Sequence, residues 1–164
     1  MVMIWDASRD GSPGSLMKLE GHQLTVIQII FNQSSDRILT VGRDRIAIIW
    51  KLDGNEWVKE KVFGKGTFIS YPLYIYWNSF IFIASEQNGH SRIIWNGCWS
   101  KNDKDTSFYT VGRDKLLIKW KLNDDGWCRS QSMQFEESVT AIDSTRNNEE
   151  NSETIVVGLE REKS

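Results

Sequence analysis

Apolar and polar positions recur along this chain in a set order. Residues 24–31, "LTVIQIIF", form an apolar run that closes on an aromatic, and residues 92–99, "RIIWNGCW", do the same. Each run leads into a polar stretch, "NQSSDR" or "SKNDKDTS", and then into a short strand ending in Thr-Val-Gly. An eleven-residue phrase follows that rhythm twice: "TVGRDRIAIIW" at 40–50 and "TVGRDKLLIKW" at 110–120. Gly-Arg-Asp in its middle is turn chemistry. The runs after it, "RIAIIW" and "KLLIKW", are β-branched and nearly apolar on both faces. A strand with one wet face alternates cleanly, whereas one apolar on both faces is covered on both sides. Small sheets stacked face to face around an axis produce that pattern.

Partial copies flank the two full ones. "VMIW" at 2–5, followed by Asp6, matches the end of the phrase. "SVTAID" from Ser138 and "TIVVGLE" from Thr154 match the opening strands of a further unit. Trp5 and Trp50 are 45 residues apart, a period that predicts four strands per repeat and a β-propeller. Gly21-His22 precedes one phrase and Gly89-His90 the other. These pairs, with Trp5-Asp6, resemble the WD40-repeat family. The departures are Trp50-Lys51 and Trp120-Lys121, where the family writes Trp-Asp.

The expected fold is therefore all-β, a partial WD40 β-propeller of about two complete four-stranded blades with partial blades at each end. Residues 1–20 would end a preceding blade. Residues 21–63 and 89–135 would each be a blade, with an aromatic apolar insertion at 64–88. Residues 136–164 would begin a further, truncated blade. The strands of 1–20 could pair with those of 138–160 to give at most a third blade. Three blades do not close a ring, so the chain is expected to be a fragment of a longer propeller and poorly stable alone.

Resemblance to WD40 blades implies a role for the phrase. In that family a Trp indole donates to a Ser or Thr hydroxyl, the hydroxyl to a His, and the His to an Asp at a tight turn. The matching residues here are His22, Thr40, Asp44 and Trp50, then His90, Thr110, Asp114 and Trp120. In both sets Thr lies four residues before Asp and Trp six after it. A buried carboxylate demands such donors, so these are structural tetrads. A catalytic His-Asp dyad is the sharper alternative, but no nucleophile recurs beside either pair. No catalytic, cofactor-binding or metal-binding residue is expected. Arg43 and Arg113 flank the turn acids at the rim where propellers bind partners, and are candidate partner contacts, with solvated turn residues as the plainer alternative.

Composition changes the picture only at the margins. The chain has 164 residues, one domain's worth, and a formal net charge of −2, which argues against a free-standing nucleic-acid binder. Cys98 and Cys128 have no partners at metal spacing and read as small buried hydrophobes. They offer no disulfide framework either, so a reducing compartment is expected. "MVMIWDASRD" lacks the features of a secretory signal, and "RNNEENSE" at 146–153 reads as a solvated loop.

Residues 66–85, "GTFISYPLYIYWNSFIFIAS", break the repeat. They carry no charge and hold seven of the nineteen aromatics. A membrane span has the right length, but Pro72, Asn78 and Ser79 argue against it. A hairpin of "LYIYW" and "FIFIA" around Asn78-Ser79 fits better and would cover a blade edge or offer a partner an apolar patch. A third reading is translation of non-coding sequence.

Within the WD40 family, "GHQLTVIQIIF", "GRDRIAIIW", "HSRIIWNGCWS", "GRDKLLIKW" and "VVGLE" resemble the late blades of the double-propeller subunits of the Elongator complex. That resemblance implies a non-catalytic scaffold, with other subunits of the complex as partners and no nucleic acid or membrane bound directly. The complex modifies the wobble uridine of tRNAs and has been linked to transcription elongation, in the cytoplasm and also the nucleus. An unrelated WD40 adaptor mediating protein–protein interactions is the alternative.

Overall fold

The computed structural model describes residues 1–5, 17–64, 89–103, 105–147 and 152–161. The 66–85 segment, with all three of its readings, lies outside the described residues. Among those described there is no helix, only twelve strands in four antiparallel sheets.

One blade comprises β3 (Val26–Phe31), β4 (Arg37–Gly42), β5 (Ala47–Asp53) and β6 (Glu56–Phe63), paired in that order. A second comprises β7 (Ile94–Trp99), β8 (Ser107–Gly112), β9 (Leu116–Asn123) and β10 (Gly126–Gln134), again in order. Two half-sheets complete the molecule: β1 (Val2–Ile4) with β2 (Met17–Leu19), and β11 (Val139–Asn147) with β12 (Ser152–Leu159). The blades obey one register. Ile38 faces Trp50 across β4 and β5, and Phe108 faces Trp120 across β8 and β9.

Alternation along each strand sends odd and even residues to opposite faces, and both faces find cover. Leu39, Val41, Ala47, Ile49 and Phe63 of the first blade meet Ile94, Phe108, Ile118 and Trp120 of the second. The reverse face of the first blade, Ile38, Ile46, Ile48 and Trp50, carries Val2 and Leu19 of β1 and β2. The reverse face of the second, Tyr109, Val111 and Leu117, carries Val139 and Ile142 of β11. The order of the stack is thus half-sheet, blade, blade, half-sheet. This explains the double-faced apolar runs.

That order also corrects an expectation. The N-terminal strands do not pair with the C-terminal ones, because the two complete blades lie between them. A second correction concerns 146–153. Arg146 and Asn147 end β11, while Ser152 and Glu153 open β12. Glu153 reaches back to the second blade, accepting from the Tyr109 hydroxyl (2.7 Å), the Ser100 hydroxyl (2.9 Å) and the Lys101 amide (2.7 Å). Burial works to raise its carboxyl, but these donors hold it below the ordinary value. Glu153→Ala should therefore cost about 1.5–3 kcal/mol. Hydrogen exchange should show the loss as faster opening of β11 and β12 than of β7 to β9.

Polar links between the blades are few and directional. Glu60 accepts from Arg37 Nε (2.8 Å) in its own blade and from the Trp127 indole (3.1 Å) in the next. Nearer the inner strands, the Gly97 amide donates to Gln28 Oε1 at 2.8 Å.

Candidate functional site

Each phrase is a hairpin, and its turn is built around the acid. In the first blade Asp44 follows the end of β4, and the Arg45 amide donates back to the Gly42 carbonyl at 3.3 Å. Arg45 takes the left-handed backbone conformation (φ 68°), as does Lys115 (φ 66°) in the second blade. The glycine of the phrase serves space rather than a left-handed turn. A Cβ on Gly42 would lie 2.8 Å from Asp44 Oδ1 and 2.9 Å from His22 Nδ1. At Gly112 it would lie 2.7 Å from the Ile93 carbonyl oxygen and 3.0 Å from His90 Nδ1.

Around that space the four predicted residues meet. The Trp50 indole donates to Thr40 Oγ1 (3.0 Å), and Thr40 Oγ1 lies 2.8 Å from His22 Nε2. His22 Nδ1 lies 2.9 Å from Asp44 Oδ2, which also accepts from the Gln23 amide at 2.9 Å. An indole can only donate and a carboxylate can only accept. The proton therefore sits on Nδ1, and the threonine hydroxyl donates to Nε2. The second blade repeats the chain: Trp120 to Thr110 (2.9 Å), Thr110 to His90 Nε2 (2.9 Å), His90 Nδ1 to Asp114 Oδ1 (2.8 Å), with the Ser91 amide on Oδ2 (2.8 Å).

Burial pushes the Asp44 and Asp114 carboxyls up, and their histidines and backbone amides pull them further down, to a net value below the ordinary 3.8. A depressed carboxyl adds stability that is present above its unfolded pKa and lost as pH falls through its folded one. The two turn acids and Glu153 act alike. The urea midpoint should therefore fall between about pH 5 and pH 2, and a flat profile across that range would contradict these networks.

The polar atoms of each tetrad face one another. Among the described residues, each histidine's ring nitrogens bond to the Asp and Thr of its own tetrad and to no serine or cysteine. Among the described residues, no group of three His, Cys, Asp or Glu side chains could hold a metal ion. Cys98 is buried, and desolvation pushes its thiol up to about 12. Such a thiol is inert. Cys128, expected to be buried, is only half so, with its sulfur accepting from Asn123 Nδ2 at 3.1 Å.

The third unit departs from the phrase. The amide after each phrase glycine bonds across the sheet: Arg43 to the Thr25 carbonyl, Arg113 to that of Ile93, and in the half-sheet Glu160 to that of Ser138. Counting from these bonds, Leu159 stands where Gly42 and Gly112 stand. Phe135 takes the place of the histidine, Val157 that of the threonine, and Arg161 that of the acid. "VVGLE" looks like "TVGRD" in the sequence but sits one residue out of step with it. No tetrad forms there.

At the rim, Arg43 and Arg113 are both exposed, yet they do not act as a pair. Arg113 lines a shallow depression with Arg45, Ser91 and Arg92, and Arg45 Nη1 donates to the Ser91 carbonyl at 3.4 Å. Arg43 stands outside it. Neither Arg45, within the turn after the acid, nor Arg92, at the opening of a strand run, is marked out by spacing in the sequence.

No family model matches the chain. Curated relatives do, and they carry one name. "Elongator complex protein 2" of Schizosaccharomyces pombe is 32% identical over 126 residues, which is 76% of this chain. The Dictyostelium discoideum protein of that name is 31% identical over 146 residues, 87% of the chain, and the Homo sapiens one 30% over 119 residues, 73%. The chain belongs to the Elongator complex protein 2 family. It spans only 14% of the length of the first two relatives. The family accounts for the paired phrases, since a WD40 propeller is built by repeating such blades.

Proposed function

We propose that this chain is a non-catalytic WD40 scaffold segment of an Elongator-type complex, supporting tRNA wobble-uridine modification through protein–protein contacts, and, through the complex, transcription elongation. It works in the cytoplasm and the nucleus. Its likeness over most of its length to relatives called Elongator complex protein 2 carries this reading. The closed tetrads support it: the groups that could have done acid–base chemistry are spent on holding hairpins. The rim arginines Arg45, Arg92 and Arg113 supply anchors suited to a protein partner.

Native purification of the tagged gene product from its own cells tests the proposal. The remaining Elongator subunits should co-purify, and Arg45→Glu with Arg113→Glu should weaken their recovery. Recovery of none of them, with wobble-uridine modification intact after deletion of the gene, would overturn it.

A further inference from the structure

Two joints between neighbouring sheets compare residue for residue. Val2 faces Leu19 across β1 and β2 as Ala47 faces Phe63 across β5 and β6, so Leu19 and Phe63 hold one position. His22 and His90 hold another, each in its tetrad. From Leu19 to His22 the chain passes through Glu20 and Gly21 alone. From Phe63 to His90 it passes through Gly64, residues 65–88 and Gly89. Gly64 thus stands where Glu20 stands, and Gly89 where Gly21 does.

The two glycines meet. A Cβ on Gly89 would have the Gly64 Cα as its nearest neighbour and the Gly64 nitrogen next, at 2.9 Å. With a carbon–carbon bond of about 1.5 Å, the two Cα atoms are no more than about 4.4 Å apart, close to the roughly 3.8 Å of residues joined by a trans peptide. Both flanks are fixed by contacts in which 65–88 take no part. Phe63 is 1% exposed and packs on Phe108, Trp120 and Trp127 of the second blade. His90 is held by Thr110 and Asp114, and the Ser91 amide by Asp114. Gly64 has φ 108°, and a Cβ there would overlap the Arg45 carbonyl oxygen. Glu20, at the same position in the uninterrupted joint, is not among the residues of positive φ. The joint itself does not call for that conformation, which serves the departing chain.

We propose that residues 65–88 are a separable insert: the two blades, their junction and the His90 tetrad are complete with Gly64 joined directly to Gly89. The chain leaves the joint at Gly64 and returns to it at the neighbouring position, so a long and a short form of the protein share one scaffold. The repeat spacing agrees. Trp120 follows Trp50 by 70 positions, and leaving out the 24 residues 65–88 gives 46, beside the 45 from Trp5 to Trp50.

Deleting the codons for 65–88 from the gene in its own cells, and purifying the tagged product, tests this. The shortened protein should be recovered in the parent's amount, with unchanged hydrogen exchange in β6 and β7. Its urea midpoint should be no lower than the parent's, since a shorter connection costs less closure entropy. A variant that also lacks Gly64 and Gly89 should lose midpoint, because Phe63 and His90 then no longer both reach their places. Replacing 65–88 by a Gly-Ser linker of equal length should keep the blades, with a midpoint below that of the shortened protein. Aggregation of the shortened protein, or a clear fall in its midpoint, would overturn the proposal. So would survival with the linker alone, which would mean that the two glycines are not neighbours. These readouts do not depend on membership of a complex, so they stand or fall apart from the function proposed above.

Discussion

Replacing His90 with alanine should lower the stability of the fold by about 3–5 kcal/mol, the summed cost of leaving a buried carboxylate and a buried hydroxyl without the imidazole that joins them. Both members are inaccessible: the His90 side chain is 0% exposed and that of Asp114 5%. Without the imidazole, the carboxylate keeps the Ser91 and Leu116 amides but loses its charge-assisted donor. The Thr110 hydroxyl loses its acceptor at the same time. A domain with about 5–15 kcal/mol in total survives this narrowly or not at all. Urea unfolding followed by tryptophan fluorescence measures it. A His90→Ala chain within about 1 kcal/mol of the parent would show that the tetrad is incidental to the blade.

Phe108→Ala should cost as much by a different route. Phe108 is fully buried where the two blades meet. Its ring contacts Phe63 edge-on at 5.2 Å, Trp99 at 5.5 Å, Trp127 at 5.4 Å and Trp120, nearly parallel, at 6.2 Å. Removing it takes one ring from four partners on both sides of the junction and leaves a cavity that sheets on either side cannot collapse into. Substitutions of this kind cost about 3–5 kcal/mol. Because Phe63 belongs to the first blade and the others to the second, near-UV dichroism should weaken before far-UV dichroism on heating. Coincident melting by both signals would mean that the blades stay docked without this ring.

Most of the blade was legible because its rules are local. Alternation in "RIAIIW" and "KLLIKW" declares strands covered on both faces, and the repeat of Thr, Asp and Trp at constant offsets gives one hairpin twice. The tetrads follow from the resemblance, since only the family says that a Gly-His pair eighteen or twenty residues before a Thr should join it. Less was legible where a side chain acts across blades. Nothing in the spacing of Glu153 announces Tyr109 and Ser100 as donors. Nor does the order of residues say that Glu60 serves Arg37 and Trp127 together. The one-residue offset of "VVGLE" has the same origin. Strand pairing reveals it: Val139 lies opposite Leu159, as Val26 lies opposite Gly42 and Ile94 opposite Gly112.

The amino-acid sequence by itself determined strand periodicity and the turn at each acid, since each follows from residues within one repeat; the buried polar chain followed from the family resemblance. Only the tertiary structure decided the order of the stack, which put the terminal half-sheets on opposite outer faces instead of side by side. It also decided which arginines share a depression and which apolar side chains stay in water. The reason is that stacking is a relation between faces of different sheets. A sequence states which residues share a face, but the neighbour of that face emerges only once every blade has been placed.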